Sequence, residues 1–246
     1  MKILLLSYYF EPDLSAGSFR MKALTESLKK RNIQLKIITT QPNRYTNYSK
    51  KAKTFERNFN YEILRVNVPK HSGSMLSQAI SFAAYYRFVM HEIKKEDYDL
   101  VFSTSSRLFT AFLGSRVAAK LKIPLILDIR DIFLDTISHV VPWYIHGPLT
   151  PLLKFIEKLT FNKAIHINLV SKGFKSYFEK RFQCKNYSYL SNGIDSEFIN
   201  FKKDISKQNT CRNVKVLTYA GNIGKSQKIE LILPQIASKL SKNIIN

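Results

Sequence analysis

The chain has 246 residues, of which 45% are hydrophobic, as expected for a globular protein with a full core. No uncharged apolar stretch reaches about eighteen residues, which argues against a transmembrane helix. The formal net charge of +21 predicts contact with phosphates or an anionic membrane surface, although a compositional bias toward lysine explains it equally well. Nucleic-acid binding is not supported, because no zinc-finger, helix-turn-helix or aromatic-flanked basic motif is present.

Patterns of strand and helix length alternate along the chain. The apolar run 2–7 predicts a strand, 18–31 predicts a helix with Ser18 as its N-cap, and 34–40 predicts a second strand. Residues 41–60 are polar and basic and predict a long loop. Further strands are predicted at 61–68, 99–104, 124–129, 166–171 and 187–190, and further helices at 75–95, 107–121, 149–162 and 172–182. This alternation predicts an α/β fold, a parallel sheet with helices on both faces.

A second domain is predicted to begin near residue 213. The run 214–219 has strand character, Gly221 and Gly224 allow a tight turn, and 227–240 has a helical pattern, which together form the opening βα unit of a nucleotide-binding domain. Such a domain needs on the order of 100–150 residues, and the chain ends soon after Gly224. We therefore expect a first domain at 1–195, a polar linker at 196–212, and an incomplete second domain at 213–246.

Ligands of an open parallel sheet lie beyond the carboxyl ends of its strands. After the first strand, Gly17 permits a close approach to the backbone at a helix N-terminus, which suits a phosphate. Ser18 lies at this N-terminus, and Arg20 in the first helical turn can add a charge-assisted contact. No GxGxxG motif is present, and a simple tight turn is the alternative.

Two further loops carry polar residues after predicted strands. Ser105 lies in the run 103–106, whose hydroxyls can bind a sugar or phosphate or can cap the following helix. Asp128 and Arg130 share one side of a strand end and can pair. Asp131 lies just beyond it, where a carboxylate can act as a base or orient a substrate hydroxyl. A structural Asp–Arg pair that holds the loop is the alternative.

Two segments suggest contact with a membrane. The apolar and aromatic segment around Trp143 suits an interface or a lipid, with buried packing as the alternative. A cluster of basic residues is opposed by Glu56 alone. Its members are Arg44, Lys50, Lys51, Lys53 and Arg57. The cysteines and histidines lack the spacing of metal ligands, so no metal site is expected.

These pieces in this order resemble glycosyltransferase family 4, the retaining transferases of the GT-B fold, particularly the bacterial members that build surface polysaccharides. The first strand with Gly17 and Arg20 resembles the N-terminal strand, loop and helix of the family. The strand ending at Asp128–Asp131 resembles its acceptor-site motif. Ser191–Asp195 matches the family's hinge, and Tyr219–Gly224 matches the start of its donor domain.

The resemblance implies two Rossmann-like domains, the first for the acceptor and the second for a nucleotide-sugar donor, with no metal or other cofactor. It implies that Asp131 and Arg130 lie at the reacting acceptor hydroxyl, although many members of the family have histidine where this chain has Arg130. It also implies two sets of binding residues. Those near the donor phosphates are Gly17, Ser18, Arg20, Asn222, Gly224 and Lys225, and those for the acceptor are Ser105, Asp128 and Trp143.

The function implied is transfer of a hexosyl or N-acetylhexosaminyl group from a nucleotide-sugar to a lipid-linked glycan, as in lipopolysaccharide or capsule synthesis. The protein is expected to be peripheral on the cytoplasmic face of the cell membrane. The family's glutamate pair that grips the donor lies beyond this chain, so we expect the chain alone to be inactive or to need a separate donor-domain chain. The alternative is a non-catalytic subunit that docks the acceptor or the membrane for a separate catalytic chain.

Overall fold

The computed structural model describes residues 1–44, 51–69, 75–105, 108–140, 143–183, 185–194, 199, 218–221 and 229–244. The chain forms two compact units. The larger unit consists of Met1–Leu134 and Pro148–Gly193, and the smaller unit consists of Asp135–Gly147 and Ile194–Asn246.

A single twisted sheet is the centre of the larger unit. Over the described residues its strands are β1 (Lys2–Leu6), β2 (Gln34–Thr40), β3 (Phe55–Asn58), β4 (Tyr61–Val66), β5 (Leu100–Ser105), β6 (Leu125–Ile129), β7 (His166–Leu169) and β8 (Asn186–Tyr189). Their order is β3-β4-β2-β1-β5-β6-β7-β8, and each neighbouring pair is parallel except β3 with β4. The predicted parallel α/β fold is confirmed.

Helices connect the strands and cover the sheet. Those in the described part of the chain are α1 (Ala16–Lys29), α2 (Met75–Glu92), α3 (Leu108–Leu121), α4 (Phe133–Val140), α5 (Trp143–Lys163), α6 (Lys175–Arg181) and α7 (Ile229–Ile244). A short 3₁₀ turn at Lys172–Phe174 precedes α6. Helix α7 belongs to the smaller unit and occupies most of the range 227–240 in which a helix is predicted.

The apolar runs become strands because both faces of the sheet are covered. Along β1, Ile3 and Leu5 point to one face, where they join Met21 of α1 in a buried cluster. Leu4 and Leu6 point to the other face, where helices α2, α3, α5 and α6 contribute to a larger cluster. A strand that is buried on both sides has no polar side to show, which explains why β1 reads as continuously apolar.

The structure differs from the predicted elements at several places. The expected loop 41–60 contains β3, an edge strand that lacks an apolar pattern and forms by antiparallel pairing with β4. Helix α1 starts at Ala16, and its N-cap is Ser15 rather than Ser18, because the Ser15 side chain accepts a hydrogen bond from the Ser18 backbone N–H. Helix α5 starts at Trp143, ahead of the predicted range 149–162, and continues through Pro148 and Pro151.

Candidate functional site

The site lies where the chain changes direction across the sheet. Strand β1 is central, with β2 on one side and β5 on the other. The connections after β1 and after β4 therefore run to opposite sides, which opens a crevice at the carboxyl ends of β1 and β5. The loop from β1 to α1 borders this crevice, and the loop after β6 carries Arg130 and Asp131.

Buried polar side chains hold the loop between β1 and α1. The carboxylate of Asp13 accepts hydrogen bonds from the backbone N–H groups of Asn43 and Arg44, each at 3.2 Å. The guanidinium of Arg65, which is 3% exposed, donates to the carbonyl of Glu11 at 2.9 Å. These contacts tie the loop to the segment after β2 and to β4, so that it presents a fixed backbone to the crevice.

Gly17 and Arg130 are packed directly together at the N-terminus of α1. A Cβ atom on Gly17 would lie only 1.9 Å from Nη1 of Arg130, so the guanidinium occupies the space that the glycine leaves open. This Nη1 atom and the hydroxyl of Ser18 are both buried without a hydrogen-bond partner among the described residues. Unpaired donors beside the positive end of a helix dipole form an arrangement suited to an anion.

The electrostatic surroundings of Arg130 point the same way. Burial lowers the pKa of its guanidinium below the ordinary value, and the nearby Arg20 and Arg44 add to this effect, while Asp128 and Asp131 oppose it. The lowered pKa means that the nearby carboxylates do not fully offset the solvation that the guanidinium loses on burial. A bound anion would supply the missing negative charge.

Asp131 is the carboxylate that reaches the surface beside this cation. Its side chain is exposed, yet desolvation by the surrounding protein raises its pKa above the ordinary value, against the opposing effects of Arg130 and Arg44. A carboxylate in such a position can accept a proton or a hydrogen bond from a substrate hydroxyl.

Asp128 does not pair with Arg130, in contrast to the prediction, but with Arg20. Arg20 donates from Nε at 3.0 Å and from Nη2 at 2.9 Å to the Asp128 carboxylate, which is 1% exposed. The Thr104 hydroxyl, at 3.3 Å, and the Asn168 side-chain amide, at 2.6 Å, donate to the same carboxylate. Asp128 therefore joins α1, β5, β6 and β7, and it could reach an acceptor only by giving up these bonds.

Arg20 is also committed to contacts within the protein rather than free for a phosphate. Its Nη1 donates to the carbonyl of Ser191 at 2.9 Å and lies 3.5 Å from the side-chain oxygen of Asn192. The side chain thus links the buried carboxylate of Asp128 to the segment that leaves β8.

The polar network continues through β7 and β8, and sequence reasoning missed it. Because Asn168 donates from its amide nitrogen to Asp128, its oxygen is the acceptor for the Ser188 hydroxyl at 2.9 Å. The Ser188 proton is then used, so Nε2 of His166, at 2.9 Å, must donate to Ser188. The sequence signal that could have revealed the network is the alternation of the polar residues His166 and Asn168 with apolar residues along β7.

A pocket of about 250 Å³ lies beside this network in the larger unit. Its walls are largely apolar, and Arg20, Asp128 and Asn168 contribute its polar atoms. The remaining lining residues are Met21, Ala23, Leu24, Phe102, Leu190, Ser191 and Gly193.

The other predicted site residues fall into three groups. Ser105 is 4% exposed, and its hydroxyl accepts a weak hydrogen bond, 3.4 Å long, from the backbone N–H of Arg130, so it supports the loop after β6. Trp143 belongs to the smaller unit, and its side chain is 78% exposed. Three predicted donor contacts lie outside the described residues, namely Asn222, Gly224 and Lys225.

The predicted basic cluster is only partly described, because Lys50 lies outside the described residues. Within the described part, the guanidinium of Arg44 lies 5.5 Å from the centre of the Tyr9 ring, and Arg57 pairs with Glu62 at 3.0 Å. Over the same described ranges, no group of three potential metal ligands is found, and none of the helices has the length and hydropathy needed to cross a membrane.

Comparison with solved structures identifies a GT-B type of fold. A sucrose-phosphate synthase from Thermosynechococcus elongatus matches with a TM-score of 0.55 and 11% identity, over 81% of this chain and 93% of that chain. UGT89C1 from Arabidopsis thaliana complexed with UDP matches with a TM-score of 0.50 and 14% identity, over 80% of this chain and 53% of that chain. The same protein complexed with UDP-L-rhamnose gives 0.51 and 13%, over 80% and 49%. The chain therefore spans about half the length of the Arabidopsis structures.

Sequence comparison identifies the family. No match is found among curated protein sequences. The model of Glycosyltransferase Family 4 matches residues 19–198, which include the Arg20–Asp128 pair, Arg130 and Asp131. This match covers well over half of the chain and confirms the resemblance predicted from the motifs: the chain belongs to glycosyltransferase family 4.

Proposed function

We propose that this chain is the acceptor half of a retaining glycosyltransferase that transfers a sugar from a nucleotide-sugar to a lipid-linked glycan in bacterial surface-polysaccharide synthesis. The observation that carries the proposal is the unpaired Nη1 of Arg130, buried against Gly17 at the N-terminus of α1. UDP and UDP-L-rhamnose in the Arabidopsis structures support a nucleotide-sugar as the donor. In this proposal, residues 1–195 form the acceptor domain, 196–212 form a linker and 213–246 belong to the donor domain.

Arg130 is proposed to offset the negative charge of the donor diphosphate. This charge grows as the bond to the sugar breaks, and a cation that is already in place lowers the barrier without having to reorganise. The Ser18 hydroxyl and the N–H groups at the start of α1 would add neutral donors, and Gly17 leaves room for the guanidinium to approach them. Asn222, Gly224 and Lys225 are proposed to contact the donor phosphates from the second domain.

Asp131 is proposed to orient the acceptor hydroxyl and to receive its proton. Desolvation raises the pKa of this carboxyl, which makes its carboxylate form a stronger base than an ordinary aspartate. We place no metal in the reaction. Trp143 is proposed to contact the lipid part of the acceptor, at the cytoplasmic face of the membrane. Residues 1–246 span about half the length of the Arabidopsis structures, so weak donor binding and no transfer by these residues alone are expected.

The test is calorimetric titration of the chain with UDP, GDP and ADP. At least one nucleoside diphosphate should bind weakly, and Arg130→Met should weaken that binding by about tenfold or more, since it removes a charge-assisted contact. Arg57→Met is the matched control, because Arg57 lies on the edge strand β3, is 72% exposed and pairs with Glu62 of β4. Binding that is tight and stoichiometric, or that does not change in Arg130→Met, would contradict the proposal.

A further inference from the structure

Helix α5 presents apolar side chains to solvent in its part that belongs to the larger unit, residues 148–163. Leu152 is 54% exposed, Phe155 is 58% exposed and Leu159 is 44% exposed. Their spacing of three and four residues puts them on one side of the helix. These three residues are called the α5 stripe below.

The opposite side of the helix packs against the core of the larger unit. Leu153 is 6% exposed and Phe161 is 2% exposed. The centre of the Phe161 ring lies 5.1 Å from that of Phe178 in α6 and 4.8 Å from that of Phe182, the residue that follows α6. The helix therefore has an apolar face toward the core and a second apolar stripe toward solvent, whereas an ordinary surface helix is polar on its outer side.

The charges along the same stretch have a single sign at the surface. Lys154 and Lys158 are exposed beside the α5 stripe, and Lys163 is half-buried. The only acidic residue between 148 and 163 is Glu157, which is 4% exposed and accepts a hydrogen bond from the Tyr177 hydroxyl at 2.8 Å. An exposed apolar stripe flanked by cations fits a partner that is apolar inside and negative at its surface.

We propose that residues 148–163 of α5 dock on an anionic lipid bilayer. The α5 stripe enters the boundary between headgroups and acyl chains, and the neighbouring lysines extend along it to the lipid phosphates. A helix of this length is about 24 Å long, and it lies in the plane of the interface. A protein partner fits less well, because lysine is depleted from protein–protein interfaces. The inference deepens the membrane location within the proposed function and rests on it.

The test is sedimentation of the full chain with vesicles of phosphatidylcholine, with and without phosphatidylglycerol. The wild-type chain should bind the anionic vesicles more tightly, and Phe155→Ser/Leu159→Ser should weaken this binding by about tenfold or more. Lys154→Gln/Lys158→Gln should remove the preference for phosphatidylglycerol. Phe59→Ser is the matched control, since Phe59 is an aromatic side chain that is 98% exposed elsewhere. It should bind as the wild type does.

Three outcomes would overturn the inference. The first is unchanged vesicle binding by folded Phe155→Ser/Leu159→Ser protein, with circular dichroism as the check on folding. The second is a wild-type dimer that becomes monomeric in this variant, since the stripe would then be a contact between copies of the chain. The third is loss of vesicle binding in Arg130→Met, which would place the lipid contact at the nucleotide site. If Arg130→Met still binds vesicles, the membrane contact at α5 is independent of the nucleotide site, and it can hold even if the transferase proposal fails.

Discussion

At the scale of single residues, two glycines of the larger unit avoid a side chain for different reasons. A Cβ on Gly17 would meet the far end of Arg130, a long side chain that can swing away. A Cβ on Gly114 would lie 2.5 Å from Cβ of Ser103 and 3.4 Å from Leu125, where α3 packs against the sheet. Gly17 makes room for Arg130 in the site, and Gly114 makes room for the packing of α3 on the sheet. Replacing Gly17 should therefore affect ligand binding, and replacing Gly114 should affect stability.

We therefore expect Gly114→Ala to destabilise the protein by about 1–3 kcal/mol, because the helix must move away from β5. Gly17→Ala should change the free energy of unfolding by less than about 1 kcal/mol, because Arg130 can yield and alanine is a better helix former. It should instead weaken nucleoside diphosphate binding by displacing the guanidinium. Urea unfolding and the calorimetric titration measure the two effects, and similar stability losses in the two variants would contradict the argument.

Arg20 and Asp128 form a buried ion pair, with side chains 13% and 2% exposed. Arg20→Met leaves a buried carboxylate without its cation and should cost about 3–5 kcal/mol in urea unfolding. Arg20→Met/Asp128→Asn should cost less than the sum of the two single changes, because neither charge is then left alone. Additive losses would show that the two side chains do not act as a pair.

At the scale of elements, a cluster of charges joins β2 to β4 and to the segment that follows α2. Lys36 lies in β2 and is 4% exposed, with Nζ 2.8 Å from Glu62 and 3.2 Å from Glu96. Burial alone lowers the pKa of Lys36, but hydrogen bonds to Glu62 and Glu96, together with the negative charges of these two carboxylates, outweigh burial and raise it. A hydrogen bond from Lys2 is the main reason why the pKa of Glu96 is lowered.

These shifts predict how stability changes with pH. Glu96 contributes stability that is complete above its ordinary pKa of 4.5 and is lost as the pH falls through its lower folded value. Lys36 contributes stability that is complete below 10.5 and is lost as the pH rises through its higher folded value. Glu96→Gln should therefore lose less stability than the wild type between about pH 7 and about pH 3.

Urea unfolding at several pH values measures this effect. Glu26→Gln is the control, because Glu26 forms an exposed pair with Lys29, and such pairs contribute little. This control should follow the wild-type curve in acid. If Glu96→Gln also follows the wild-type curve, the cluster does not set the acid stability of the protein.

At the scale of the whole molecule, the larger unit has its own hydrophobic core. Among the described residues, both buried clusters are built from side chains between Ile3 and Tyr189. Helix α7 of the smaller unit instead exposes Leu231, Ile232, Leu233 and Leu240. Of the described residues, none after Gly193 contributes a side chain to these two clusters.

A chain that ends at Gly193 should keep the melting temperature of the full chain to within about 4 °C, which corresponds to roughly 1 kcal/mol for a protein of this size. Its circular dichroism should lose the helical signal of α7 and keep that of the sheet and the remaining helices. A fall of about 10 °C or more would show that the residues after Gly193 stabilise the larger unit.

The sequence by itself determined the fold class and the family. Continuously apolar runs of strand length indicate a parallel sheet that is covered on both faces. The motifs at Gly17, Asp128–Asp131 and Asn192–Gly193 are local and can be recognised from the sequence alone. It could not identify β3, because Phe55–Asn58 has no apolar pattern and becomes a strand only when β4 lies beside it.

Only the tertiary structure decided which charges pair. Asp128 and Arg130 are two residues apart, yet Asp128 bonds to Arg20, which is 108 residues away along the chain. The choice depends on how α1 crosses the sheet and on the register that sets Thr104 and Asn168 beside Asp128. Arg130 is thereby left to pack on Gly17 with an unpaired nitrogen. Partner choice in a folded chain follows proximity in space, which local sequence patterns do not encode.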